Sequence, residues 1–272
     1  MNSNETMIFN NYLKQWHLTQ DGDPIITDTS WLLPVSYKGA SAMLKIAISD
    51  EERAGAALMV WWNGEGAARI FKHENNALLM ERAIGSHSLV SMTKTGQDDE
   101  ASKIICEVVT KLHAKNKKPL PATLISLSTW FRSLHVAAIE HGGIFSQAAL
   151  VAEELLNNPQ EIVVLHGDIH HQNILDSGVH GWIAIDPKGL LGERGFDYAN
   201  IFCNPNWEVA TSPGRLTRQA TIVAEAAGLE RSRLIKWILA YAGLSAAWSL
   251  NDGDSPNLAL AIASLSIAEL SI

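Results

Sequence analysis

The chain has 272 residues, 47% of them hydrophobic and 18% charged, which is enough apolar surface for a sizeable buried core and excludes a disordered or fibrous protein. Acidic residues outnumber basic ones 29 to 21, for a formal charge of −8, and the densest basic group is Lys115, Lys117 and Lys118. That balance argues against nucleic acid and anionic membrane as partners; it serves solubility and also suits a protein that takes a cationic ligand.

Cys106 and Cys203 are too far apart to read as a disulfide framework. The opening residues show neither a secretory leader nor an Arg-rich transit pattern, so the expected address is cytoplasmic. The longest weakly polar stretches, Trp237 to Leu250 and Pro256 to Ala268, are too short to span a bilayer and read as buried helices.

In chain order, Pro24 to Thr27, Trp31 to Tyr37 and Ala42 to Ile48 read as strands of an antiparallel meander. A helix is expected from Asp50, capped by Ser49 or Asp50 and ending near Asn63 and Gly64, because Glu51 and Glu52 suit the positive end of its dipole. Ala68 to Phe71 and Ala77 to Met80 close the sheet as a hairpin, and Glu81 to Gly85 leave it as a connector. Helical spacing then takes over from Asp98 (Ala101, Ile104, Ile105, Val108, Val109, Leu112), followed by helices over Leu127 to Glu140 and Phe145 to Leu156. Ile162 to Leu165 is a short strand, Asn173 to Leu175 pairs with Trp182 to Ile185, and helices over Arg215 to Ala227, Ser232 to Ser249 and Asn257 to Leu270 finish the chain. The expectation is an α+β, two-lobed protein: a β-rich lobe over 1–80, a connector over 81–85 and a helical lobe over 86–272.

The strongest chemical signal is LHGDIHHQNIL at 165–175, where Asp168 precedes Asn173 in the spacing HGDxxxxN, with Asp186 thirteen residues further on in IAIDP. Phosphoryl transfer needs a carboxylate beside the incoming hydroxyl and hard oxygen ligands for magnesium. Asp168 can accept the hydroxyl proton, and the Asn173 amide and Asp186 carboxylate can hold the cation. A zinc reading of His166, His170 and His171 is weaker, because histidines four apart need a helical face and Gly167 marks a loop; His166 is expected to prop that loop through hydrogen bonds. No GxxxxGK[ST] occurs, and GEGAAR at 64–69 lacks the last glycine of a dinucleotide fingerprint.

The 165–175 segment resembles the catalytic loop of protein kinases in the HGD form of aminoglycoside phosphotransferases. With IDPKGLLGERGFDYANIFCNP at 185–205, WWNGEGAARIF at 61–71 and LSAAW at 244–248, the chain resembles the streptomycin 6-kinase branch of the aminoglycoside/hydroxyurea resistance kinases. That resemblance implies a protein-kinase-like fold, Mg-ATP as donor and a small hydroxyl compound, streptomycin-like and cationic, as acceptor, in a monomer or weak homodimer. It implies that Lys45 reaches the α- and β-phosphates and that Glu52, rather than Glu51, is its ion-pair partner. Glu81, Arg82 and Ala83 fall where such kinases bind the adenine edge, and Asp197 falls where an acid braces the catalytic loop.

One departure concerns the turn TDTSWLL at 27–33, which has no glycine; Thr29 and Ser30 are candidate phosphate contacts in its place. For a guanidinium-bearing acceptor the candidate carboxylates are Glu193, Glu208, Asp252 and Asp254. Two alternatives stay open at this point: the same fold serving an unidentified housekeeping metabolite, and a nucleotide-binding regulatory module without useful transfer.

Overall fold

A computed structural model describes residues 3–116 and 118–271, so Lys117 of the basic group lies outside the described residues. The chain opens with helix α1 (Ser3–Trp16), then strands β1 (Thr19–Gln20), β2 (Ile25–Ile26), β3 (Ser30–Tyr37) and β4 (Ala40–Ala47), helix α2 (Asp50–Trp62), and strands β5 (Ile70–Glu74) and β6 (Ala77–Glu81). The strands form one antiparallel sheet in the order β1-β3-β4-β6-β5, with β2 added beside β3. Period-2 alternation turns Leu33, Val35, Leu44 and Ile46 to one face, where Phe9 and Trp16 of α1 cover them. Lys45, between Leu44 and Ile46, is therefore sent to the opposite face. Because β4 lies between β3 and β6, Lys45 sits in a central strand, opposite Leu32 and Leu78.

The start of α2 follows the expected capping: Ser49 Oγ accepts from Glu52 N at 3.2 Å, and Asn63 ends the helix in the left-handed region at φ 46°. Its far end is tied to the helical lobe. The Trp62 indole, 1% exposed, donates to Leu112 O at 3.0 Å, and that of Trp61 donates to Pro119 O at 2.9 Å.

Beyond the sheet come α3 (Leu89–Lys94), α4 (Asp98–Leu112), β7 (Ile125–Ser126), α5 (Leu127–Trp130), α6 (Arg132–His141), α7 (Gly143–Asn157), β8 (Ile162–Leu165), β9 (Ile174–Asp176) and β10 (Trp182–Ala184). The chain continues through β11 (Leu190–Glu193), a 3-10 segment (Arg194–Cys203), α8 (Trp207–Ala210), α9 (Arg215–Ala227), α10 (Arg231–Asp252) and α11 (Asn257–Leu270). The core of this lobe is built around α10, whose residues from Leu234 to Leu244 are almost all buried. The result is an antiparallel sheet lobe and a mainly helical lobe, the α+β plan expected from the sequence.

Several local expectations are corrected. The helix expected over Leu127 to Glu140 is two helices, because Phe131 turns the chain at φ −80° and ψ 2° to bury its ring beside Phe196 and Trp237. Helix α1 and strand β11 have no counterpart in the sequence reading; β11 pairs antiparallel with β8 and parallel with β7. Among the described residues no helix is long and apolar enough to cross a membrane, and Cys106 and Cys203 are buried free thiols.

Candidate active site

The loop 166–173 joins β8 to β9 under the sheet lobe, and its backbone is fastened before any side chain reaches the cleft. Asp197, 1% exposed, accepts from His166 N at 2.8 Å through Oδ2 and from Gly167 N at 2.7 Å through Oδ1. His113 Nε2 lies 2.8 Å from the same Oδ2. Gly167 adopts φ 87°, and a β-carbon there would come within 2.8 Å of Leu190 Cδ1, so both backbone and space require glycine.

His166 is fully buried and stacked on Trp62, with ring centroids 6.2 Å apart. Its Nδ1 accepts from Asp168 N at 3.2 Å, which leaves the proton on Nε2 to donate to Ile185 O at 2.8 Å. Burial holds its pKa below the ordinary value despite the nearby carboxylates, so the neutral ring carries these bonds.

Both oxygens of the Asp168 carboxylate are held by amides. Asn173 Nδ2 donates to Oδ2 at 3.2 Å and to the Asp168 carbonyl at 2.9 Å, and Asn200 Nδ2 donates to Oδ1 at 2.9 Å. With its nitrogen committed to Asp168, Asn173 turns its amide oxygen the other way. His170 Nε2 stands 3.8 Å from Asp168 Oδ1.

Across the cleft, Lys45 pairs with Glu52 at 2.5 Å and with Asp186. Burial pushes the Asp186 carboxyl up, but the charge and hydrogen bond of Lys45, with the Lys188 charge added, hold the group below its ordinary value. Asp186 itself adopts φ 64°, a left-handed conformation that aspartate tolerates better than most side chains. Glu51 faces a different cation, Lys188 at 2.7 Å. Lys45, Glu52, Met80, Asp186 and Pro187 line a small pocket between the sheet and α2. Asn173 and Asp186 together offer an amide oxygen and a carboxylate, the hard donors that suit a magnesium ion.

Residues 15–253 match the aminoglycoside/hydroxyurea antibiotic resistance kinase family. The chain belongs to that family. The kinase is 48% identical over 246 residues to a streptomycin 3''-kinase from Klebsiella pneumoniae, covering 89% of this chain and 92% of that one. It is 29% identical over 272 residues to a streptomycin 6-kinase from Streptomyces griseus, covering 94% and 85%. Likeness to the 3''-kinase thus exceeds likeness to the 6-kinase, and the narrower 6-kinase branch does not gain support.

Among solved structures, a choline/ethanolamine kinase family protein from Mesorhizobium loti superposes with a TM-score of 0.67 at 16% identity, covering 98% of this chain and 97% of that one. A thermostable mutant of aminoglycoside phosphotransferase APH(4)-Ia, in ternary complex with AMP-PNP and hygromycin B, gives 0.64 at 14% identity, covering 96% and 98%. These place the fold among the protein-kinase-like phosphotransferases, and the kinase is a phosphotransferase with a hydroxyl acceptor.

The remaining candidates are spread more widely. Thr29 donates to Glu52 Oε1 at 3.1 Å, while Ser30 is buried with its hydroxyl 3.4 Å from that of Thr27. Glu81 accepts from Ser177 Oγ and from Arg69 N, and Arg82 binds Asp21 at 2.5 Å, so both side chains brace the connector; Ala83 packs half-buried on the core.

Glu193 is put to a structural use instead of the expected acceptor contact. It is 3% exposed and accepts from Arg233 Nε at 2.7 Å, Trp237 Nε1 at 2.7 Å and Gln160 N at 2.8 Å, so its oxygens are committed to protein donors. Glu208 lies exposed on α8, where Asn206 Nδ2 reaches it at 2.5 Å, and Asp252 and Asp254 are exposed where α10 ends. Asn200, Asn204 and Lys188 were absent from the sequence reading. Lys188 lies two residues past Asp186 and donates its backbone N–H to His166 O at 2.7 Å, a contact that no sequence spacing announces.

Proposed function

We propose that this kinase transfers the γ-phosphoryl group of Mg-ATP to a hydroxyl of streptomycin, with Asp168 as the general base. The observation that carries the reading is the Asp168 carboxylate, fixed by one amide on each oxygen in the same cleft as Asn173, Asp186 and the Lys45–Glu52 pair. Streptomycin is favoured by the 48% identity to a streptomycin 3''-kinase, and on the same ground the 3''-hydroxyl is the position proposed.

In this reading the nucleotide occupies the cleft between 1–80 and 86–272, beside the connector 81–85. Lys45, held by Glu52, neutralises the α- and β-phosphates. Asn173 and Asp186 would hold the magnesium ion, which would supply positive charge against the phosphates. Asp168 accepts the proton of the acceptor hydroxyl as its oxygen bonds to the γ-phosphorus and the bond to the β-phosphate oxygen breaks, releasing ADP. His166, neutral and buried, and Asp197 keep the loop in place and touch neither substrate.

The test is ADP release by the purified protein with Mg-ATP and streptomycin, followed by phosphorus NMR of the product, with Asp168→Asn as control. Turnover that falls by about a hundredfold to ten-thousandfold in the control supports the base. Full turnover in the control would remove it, and phosphate at the 6-position would overturn the proposed site of transfer.

A further inference from the structure

Asn200 and Asn204 lie on the 3-10 segment and the residue after it, more than thirty positions past Asp168, yet Asn200 bonds the carboxylate that the proposed reaction depends on and Asn204 bonds Asn200. Asn204 Nδ2 donates to the Asn200 amide oxygen at 2.9 Å and to the Asn200 carbonyl at 3.0 Å. An amide whose oxygen is already accepting can present only its nitrogen to the other side, so Asn204 settles which way Asn200 faces. Asn200 Nδ2 then donates to Asp168 Oδ1 at 2.9 Å. The side chain that makes this bond is 6% exposed, inside a segment buried from Gly195 to Cys203, so it has little freedom to turn away.

We infer that Asn200 is a positioning residue for the base Asp168, with Asn204 fixing its amide. This rests on the reading of Asp168 as the base. Asn173 alone would leave the carboxylate free to rotate about its last bond, since it engages only Oδ2. A second amide on Oδ1 holds the plane of the group and leaves its remaining lone pairs aimed at the incoming hydroxyl. Proximity and orientation are a large share of what a phosphotransferase contributes, and a misdirected base loses that share without losing substrate binding.

The experiment compares Asn200→Ala, Asn204→Ala, Asp168→Asn and the Asn200→Ala/Asp168→Asn double variant in kcat and KM for Mg-ATP and streptomycin. Acceptor-free hydrolysis of Mg-ATP is followed in parallel, because water then takes the hydroxyl's place at the same base. Asn200→Ala should lower kcat about tenfold in both assays with either KM within about twofold, and should add less than about twofold to Asp168→Asn, where no base remains to orient. Parental kcat in Asn200→Ala, or an equal tenfold fall in the Asp168→Asn background, would overturn the inference while leaving Asp168 as base. Full turnover in Asp168→Asn would instead remove the base, and this inference with it. Should Asn200→Ala fail to fold by thermal melting, Asn204→Ala decides: about a threefold fall in kcat at constant KM sustains the role, and an unchanged kcat ends it.

Discussion

Glu52 on α2 lies 2.5 Å from the Lys45 ammonium on β4, and that ammonium also bonds Asp186 from the other lobe. The pair is buried, so Glu52→Gln removes a charge-assisted bond of about 1.5 to 3 kcal/mol. The KM for Mg-ATP should rise about tenfold or more, with a smaller change in the KM for streptomycin, as read from initial rates. A KM for ATP within twofold of the parent would show that Asp186 alone holds the lysine.

Gly55 faces Pro187 so closely that an added β-carbon would stand 2.3 Å from the Pro187 carbonyl oxygen. Alanine gains about 1 kcal/mol of helix propensity, but overlap with fixed backbone costs about 1 to 3 kcal/mol and moves α2 off the Asp186 segment. Gly55→Ala should therefore lower the melting temperature and weaken ATP binding together. A variant that melts higher would mean that α2 can step back at little cost.

Glu193 satisfies Arg233, Trp237 and Gln160 in the interior. Glu193→Ala leaves a mostly buried guanidinium without its carboxylate and should cost about 3 to 5 kcal/mol of stability, measurable by denaturant unfolding. The KM for streptomycin of the folded fraction should stay at the parental value. A selective rise in that KM would return Glu193 to the acceptor site.

Asp197 takes two backbone N–H groups of the catalytic loop on separate oxygens. In Asp197→Asn one of those oxygens becomes an NH2 facing a donor, which should cost about 1 to 3 kcal/mol and lower kcat by disturbing Asp168. Equal melting temperature and equal kcat would show that the loop holds itself.

Legibility in the sequence followed the range of the interactions concerned. Strands β3 and β4 and helix α2 were readable because alternation, the Ser49 cap and the Asn63 stop are local signals. Asp168, Asn173 and Asp186 were readable as a spacing, since loop and hairpin fix their separation. Strand β11 was not, because Leu190–Glu193 becomes a strand only through pairing with β8 and β7. Helix α1 was overlooked although Phe9, Leu13 and Trp16 recur at helical spacing; its polar residues masked a face that has meaning only against the sheet. Asn200 reaches Asp168 through a 3-10 segment that propensity does not forecast, and Glu193 reads in sequence as an acceptor carboxylate because its partners Arg233 and Trp237 lie forty or more residues away.

The anchoring of α2 bears on how such an enzyme can be governed. In protein kinases, control acts by moving the corresponding helix in and out. Here Trp62 is locked under the helical lobe through Leu112, Trp61 holds Pro119, and Gly55 abuts Pro187. Withdrawing the helix would uncover Trp62 alone at a cost of about 2 to 3 kcal/mol, before the lost bonds are counted. The strut that carries Glu52 to Lys45 is thus kept in its paired place by packing that spans both lobes.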